Sequence, residues 1–268
     1  MNCYNNYYYN ICSIQHNTIY MSKWITGKII AIKHWTDYLF TITINAEVNK
    51  FFAGQFARIG VLINNKILQR AYSYLSSPND LNLQFYINKI PCGSLTTILY
   101  NLKPGNVLMI SKESYGKFTL NELPNCTNLW MIATGTGISP YLSMLESFDK
   151  KLNKLTNIIL VHATQYNNNL NYLYKMTKLQ KLYQGKLIIQ TILSREKSSY
   201  SLYGRIPNLI ENDHLEKTIG LYLNSNSHVM LCGNPAMIYD TKQILNKKYG
   251  MKDHSRRRIG HITQERYW

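Results

Sequence analysis

Leu129-Trp130-Met131-Ile132-Ala133-Thr134-Gly135-Thr136-Gly137-Ile138-Ser139-Pro140 is where the chain changes character. Its first five residues are a continuous apolar run, the pattern of a strand buried on both faces. A glycine-rich turn follows and leads into Tyr141-Leu142-Ser143-Met144-Leu145, which has helical spacing. Asn157–Ala163, Lys186–Thr191 and His228–Cys232 repeat the buried-strand type, with helical segments near 169–183 and 235–249 between them. Strands alternating with helices imply a parallel, doubly wound sheet, and ligands of such a sheet lie at the carboxyl ends of its strands.

Upstream the period is different. From Trp24 to about Leu120 the chain runs in short alternating segments, such as Gly27–Ile32 and Leu39–Ile44, with Gly54–Ile59 beginning another. Asn, Gly and Pro turns punctuate them, among them Lys103-Pro104-Gly105-Asn106 before Val107–Ile110. Evenly spaced short strands of this kind imply a small antiparallel barrel. A linker is expected at Asn121–Asn125. The 268 residues suit two domains better than one core. The division is therefore an N-terminal antiparallel β-barrel over 21–121 and an α/β doubly wound domain over 122–268. Residues 1–20 are Asn- and Tyr-rich, without the basic start and apolar run of a secretory signal. They are expected to be a disordered or artefactual extension, with translation starting at Met21.

Composition narrows the class. Apolar residues make up 45% and charged residues 16%, which suits a folded domain rather than a disordered chain. No apolar run approaches the roughly 18 residues that span a bilayer. Thirty Lys plus Arg against fourteen Asp plus Glu give a net charge of +16. Such a field speeds encounters with acidic partners, although an AT-biased genome rich in Lys, Asn, Ile and Tyr codons gives the same excess. No helix-turn-helix, RNP motif or zinc finger accompanies the charge. Cys3, Cys12, Cys92, Cys126 and Cys232 are odd in number and scattered, so neither a disulfide framework nor a metal site held by the chain is expected. A reducing cytoplasm is the expected location.

Arg70-Ala71-Tyr72-Ser73 carries the first chemistry. A guanidinium, an aromatic face and a hydroxyl on one extended stretch suit a diphosphate, a planar ring and a polar ring edge. About sixty residues on, Thr134-Gly135-Thr136-Gly137 can bring backbone amides close to a pyrophosphate; an ordinary strand-to-helix turn explains the same glycines. Ser194, Arg195 and Arg205 flank another strand end and could clamp the 2′-phosphate that separates NADP from NAD, or be solvated. The chain has only eight arginines, and Lys cannot supply their bidentate fork. Cys232-Gly233-Asn234-Pro235 could line the slot where nicotinamide meets flavin, or Cys232 could be core. Glu265-Arg266-Tyr267-Trp268 ends the chain with two aromatics that either dock on a flat cofactor or plug the barrel.

Taken together, Arg70–Ser73, Thr134–Pro140, Cys232–Pro235, Arg256-Arg257-Arg258 with Gly260-His261, and Tyr267-Trp268 resemble bacterial ferredoxin/flavodoxin–NADP⁺ reductases of the gammaproteobacterial, FAD-dependent kind. The resemblance covers Met21 to Trp268, with the motifs in the family's order. It implies that Arg70, Ala71, Tyr72 and Ser73 hold FAD, with Arg70 on the pyrophosphate and Tyr72 and Ser73 by the isoalloxazine. Tyr86, Ile87, Asn88 and Lys89, then Gly93, Ser94, Leu95 and Thr96, match further FAD segments, and Thr136 matches a contact from the second domain. Tyr267 would cover the flavin and Trp268 would lie near the adenine. For NADP the matching positions are Thr164, Gln165, Ser194, Arg195, Arg205, Asn234, Pro235, Ala236 and Asp240. Many relatives carry Arg where this chain has Gln165, so one charge is missing from that site. Gly137 and Ser139 stand where close relatives have Ala and Gly.

The expected activity is hydride exchange between NADPH and the flavin, followed by single-electron exchange with ferredoxin or flavodoxin, with Ser73, Cys232, Glu265 and Tyr267 shaping the slot. Acidic carriers would dock on a basic face to which Arg256, Arg257 and Arg258 contribute. The expected protein is a monomer with no metal, no nucleic-acid partner and no membrane insertion. Two rivals remain: an NAD(P)H-dependent reductase of free flavin or another acceptor on the same fold, and a basic nucleic-acid or scaffold protein without catalysis, which would be colourless.

Overall fold

The computed structural model describes residues 23–267, so the expectations for residues 1–20, Met21, Cys3, Cys12 and Trp268 lie outside the described residues. The first sheet is antiparallel and contains β1 (Trp24–His34), β2 (Leu39–Asn45), β3 (Phe56–Ile63), β4 (Lys66–Ser73), β5 (Leu83–Asn88) and β6 (Val107–Ser111). Its order is β4-β3-β6-β1-β2-β5. Alternation explains its core: Phe40, Ile42 and Ile44 of β2 point inward with Ile59, Phe85, Ile87 and Ile110. The β3–β4 hairpin turns on Asn64 and Asn65, both at positive φ, as a two-residue turn matching strand twist requires. Helix α1 (Ser94–Asn101) inserts Leu95 and Leu99 into the same core. The 93–96 segment, read from the sequence as a cofactor contact, is thus also the start of a helix.

The linker holds one short 3₁₀ turn, Leu120–Glu122, and the second sheet then begins. It contains β7 (Asn128–Thr134), β8 (Asn157–Thr164), β9 (Leu187–Leu193), β10 (Leu202–Tyr203), β11 (Ser227–Gly233) and β12 (Ile262–Arg266), all paired parallel in the order β10-β9-β8-β7-β11-β12. Helices α2 (Ser139–Glu146), α3 (Lys150–Asn153), α4 (Leu173–Leu182), α5 (Ile206–Glu211), α6 (His214–Ile219) and α7 (Pro235–Tyr249) accompany it. From β7 the chain moves toward β8, and from β11 it moves the opposite way, toward β12. The crevice between the ends of β7 and β11 is therefore the topological switch point, where open α/β sheets bind ligands.

Packing fixes that crevice in place. Leu129, Met131 and Ala133 of β7 form one apolar layer with Tyr141, Leu142 and Leu145 of α2, and Leu39, Leu75, Tyr86, Phe118 and Leu120 of the barrel belong to the same layer. Tyr141 is fully buried, and its hydroxyl donates to the carbonyls of Met230 (2.7 Å) and Ile132 (3.2 Å). A buried hydroxyl satisfied in this way pins α2 to both strands that border the crevice. On the other face Trp130, Ile132 and Val161 pack with α5, α6 and α7.

Candidate active site

Ser73, Cys232, Glu265 and Tyr267, far apart in sequence, meet at one point. β12 pairs with β11 in a register that sets Glu265 beside Cys232. Ser73, the last residue of β4, reaches across from the barrel and donates from Oγ to Glu265 Oε1 at 2.9 Å. The Tyr267 backbone N–H donates to the Gly233 carbonyl at 3.2 Å, and its side chain packs against the apolar layer that includes Cys232 and Ala133. Its hydroxyl lies beside Ser73 and the Cys232 thiol. Burial governs the electrostatics here. It pushes the Glu265 carboxyl up to about 7, opposed by the Ser73 hydrogen bond. Burial also holds the Cys232 thiol and the Tyr267 phenol well above their ordinary ranges. At neutral pH the pocket therefore holds a neutral thiol and a neutral phenol beside a carboxyl that burial makes easier to protonate.

The barrel side offers a surface for a larger ligand. Arg70 and Ala71 are exposed on β4, and the Arg70 guanidinium spends only Nη1, on the neighbouring Gln69 carbonyl at 2.7 Å. The Tyr72 hydroxyl is enclosed yet has no hydrogen-bond partner among the described residues, and burial pushes its pKa to about 12. An enclosed, unpaired donor of this kind costs roughly 1–3 kcal/mol, so a ligand acceptor at that atom relieves a real penalty. The N-terminus of α1 has Gly93 at its cap and no side-chain cap, which leaves its first N–H groups for an anion. The residues present thus fit a dinucleotide with a planar ring, FAD among them.

The other expected FAD positions divide into two kinds. Ile87 and Leu95 are core side chains, so only their backbone can face a ligand. The Tyr86 hydroxyl accepts from Asn171 Nδ2 at 2.8 Å, Thr96 Oγ1 accepts from the Ile90 N–H at 3.1 Å, and the Lys89 ammonium sits 4.1 Å above the Tyr100 ring. Ser94 is exposed. Asn88 and Thr136 line the neighbouring cleft.

That cleft, about 460 Å³, opens at the switch point. Thr164, Gln165, Ser194, Arg195, Arg205, Asn234, Ala236 and Asp240, all expected from the sequence, line it, with Pro235 between two of them. Arg195 and Arg205 are exposed and bring guanidiniums to one wall, while Gln165 is neutral. Asn234 has a local duty as well: its Oδ1 accepts from the Ala236 and Met237 N–H groups at 2.9 and 3.2 Å and caps α7. The glycines differ from expectation in one respect. A Cβ at Gly137 would stand 2.7 Å from the Cys232 carbonyl, so this glycine serves a close approach to β11 rather than to a ligand. Gly233, at φ +122°, faces Thr134 in the same way. The Thr134 hydroxyl in turn accepts from the Asn234 N–H at 2.9 Å and ties the two strand ends together.

Several site residues escaped sequence reasoning. His162, fully buried at the end of β8, bonds through Nε2 to the Gly135 carbonyl at 2.9 Å, and burial pulls its pKa down to about 4. Its signal was a titratable residue inside the apolar run Asn157–Ala163. Tyr38, Leu39 and Asn169 also line the cleft, and their place depends on how the two sheets dock, which no local pattern encodes.

Comparison with known proteins agrees with this geometry. Residues 27–119 match the oxidoreductase FAD-binding domain family, and residues 131–243 match the oxidoreductase NAD-binding domain family. The chain is 50% identical over 249 residues to the flavodoxin/ferredoxin–NADP reductase of Escherichia coli, covering 92% of this chain and all of that protein. It is likewise 50% identical over 258 residues to the protein of that name from Buchnera aphidicola of Schizaphis graminum, again over 92% of this chain and all of the relative. Among solved structures, a ferredoxin NADP⁺ reductase from Neisseria gonorrhoeae with bound FAD and NADP superposes with a TM-score of 0.87 at 28% identity, covering 92% of this chain and 99% of that one.

Proposed function

The chain belongs to the flavodoxin/ferredoxin–NADP reductase family, and from that membership we propose how its own residues divide the work of the reaction. It is an FAD-dependent oxidoreductase that exchanges electrons between NADPH and ferredoxin or flavodoxin. Membership sets aside the non-catalytic scaffold. FAD, when bound, supplies the chemistry that converts a two-electron hydride exchange at N5 into single-electron steps.

The rest falls to the protein. Arg70 and the uncapped start of α1 would neutralise the FAD diphosphate, the enclosed Tyr72 hydroxyl would find its partner on the ligand, and Tyr86 to Lys89 would border the ring. Ser194, Arg195 and Arg205 hold the 2′-phosphate, and Asn234 to Asp240 hold the remainder of NADP. Thr136 and Asn88, which line the cleft, would border the bound ligands. Tyr267 would cover the flavin ring and would have to yield to nicotinamide. Ser73 and Glu265 hold a proton at the slot, and Cys232 shapes its wall as a neutral thiol.

The observation that carries this reading is the meeting of Ser73 from the barrel with Cys232, Glu265 and Tyr267 from the wound sheet, Cys232 lying two residues before Asn234 of the 460 Å³ cleft. We place the domain boundary at residues 121/122. The carriers dock on a basic face that includes Arg256, Arg257 and Arg258, of which Arg256 already pairs with Glu122 through Nη2 at 2.6 Å. The protein acts as a cytoplasmic monomer; no helix among the described residues is long and apolar enough to cross a membrane. Parallel titrations with NADPH and NADH, read as bleaching of flavin absorbance, test the cofactor assignment. Tighter binding of NADPH is expected, and equal affinity would count against the role of Arg195 and Arg205.

A further inference from the structure

The cleft and the barrel are joined by one short segment that the reaction as described does not use. Immediately after Thr164 and Gln165 the chain makes the 3₁₀ turn Asn167–Asn169 and runs to Tyr172 at the start of α4. Three side chains of this stretch grip the barrel. Asn169, nearly fully buried, donates from Nδ2 to the Tyr38 hydroxyl at 2.8 Å. Asn171 donates to the Tyr86 hydroxyl at 2.8 Å. The Tyr172 hydroxyl lies 2.6 Å from Thr41 Oγ1, which also accepts from the Trp35 indole N–H at 2.9 Å. The Tyr172 ring meets those of Trp35 and Tyr86 edge-on, at 5.3 and 5.0 Å. From behind, the loop after β9 steadies the turn: Glu196 Oε2 accepts from the Asn167 N–H at 2.7 Å, and the Tyr200 hydroxyl donates to Asn167 Oδ1 at 2.5 Å.

Adhesion does not require these bonds. The apolar layer running from Leu39, Leu75 and Phe118 into Met131 and Leu142 already holds the two sheets together. Apolar contact is non-directional and allows small slides, whereas three hydrogen bonds to three barrel strands or turns fix a single register. The same bonds reach both ligand surfaces. Tyr38 and Asn169 line the nucleotide cleft, and Tyr86 stands on β5, two residues before Asn88 of that cleft. Hydride exchange requires donor and acceptor within about 3–3.5 Å, and a 1 Å error costs on the order of 100-fold in rate.

We propose that Asn169, Asn171 and Tyr172 are positioning residues, a polar clasp that sets the registry of the nucleotide cleft against the barrel through Tyr38, Tyr86 and Thr41. The clasp rests on the reading under Proposed function and adds to it a device for alignment.

Asn171→Ala and Tyr172→Phe, the second of which keeps the ring and removes only the hydroxyl, are compared with the parent holoenzyme. Under anaerobic stopped flow with saturating NADPH, flavin reduction is expected to slow at least about tenfold, while NADP⁺ affinity, read by absorbance perturbation, stays within about twofold. The long-wavelength absorption of stacked nicotinamide and flavin is expected to weaken in parallel. Parent-like reduction in both variants with FAD retained would overturn the clasp. Should either variant lose FAD, Tyr38→Phe, which deletes only the Asn169 partner, decides: a slowed rate at unchanged affinity supports the clasp and an unchanged rate overturns it. A parent protein that NADPH fails to reduce would overturn the underlying reading and the clasp with it.

Discussion

Tyr267 illustrates how much one residue position decides. On the proposed reading its ring covers the flavin, so Tyr267→Ser is expected to tighten NADP⁺ binding at least about tenfold and to lower turnover; unchanged affinity and turnover would contradict its role as a cover. Glu265 and His162 make opposed contributions to stability that pH separates. The Glu265 carboxyl is raised from 4.5 to about 7 by burial, so folding resists its ionisation and stability falls as pH rises between those values. His162 is lowered from 6.5 to about 4 by burial, so the unfolded chain binds the extra proton and stability falls as pH drops through that window, by on the order of 3 kcal/mol. Thermal midpoints against pH are expected to lose part of their acid limb in His162→Gln and part of their decline toward neutrality in Glu265→Gln; curves parallel to the parent's would refute both assignments. Glu265 was legible in the sequence by its place in the terminal motif, but its altered acidity was not, because that depends on the burial that docking of the barrel against the wound sheet imposes, with Ser73 from almost two hundred residues away opposing it.

Among the elements, those with strong periodicity were legible and those at sheet margins were not. β7, β8 and β11 announce themselves as apolar runs because both their faces are covered. β12 does not: of Ile262-Thr263-Gln264-Glu265-Arg266 only Ile262 is fully buried, as suits an edge strand whose polar residues serve the site. β4 is similar, a polar strand at the end of its sheet that exposes Arg70 and Ala71. These two of the strands that carry the slot were thus hidden from pattern reading, because they lie at the ends of their sheets and bury few of their side chains. Between the strands, the crossing of Gly233 over Thr134 leaves no room for a side chain, since a Cβ there would stand 2.3 Å from Thr134 Oγ1 at φ +122°. Gly233→Ala is expected to cost about 2–4 kcal/mol and to weaken NADP⁺ binding by disturbing Asn234. Chemical denaturation together with a binding titration checks it, and parent-like values in both would show the turn to be tolerant.

At the scale of the whole molecule, two sheets of different kinds are fused by one apolar layer, and the proposed reaction site lies at their seam. The two-part architecture follows from the change of period near residue 129, whereas the cleft wall formed by Tyr38 and Asn169 follows only from docking. A net charge of +16 adds a long-range field. Electron exchange with flavodoxin is expected to slow severalfold between about 0.05 and 0.5 M salt, as screening shortens the reach of that field; a rate indifferent to ionic strength would remove the basic face from the docking scheme. The seam itself is tested most directly by anaerobic titration of the purified protein with NADPH, followed at the visible absorption band of the flavin. A yellow protein bleached by about one equivalent of NADPH is the expected result. A colourless protein, or a yellow one that NADPH leaves unbleached, would contradict the meeting of two coenzymes at Ser73, Cys232, Glu265 and Tyr267.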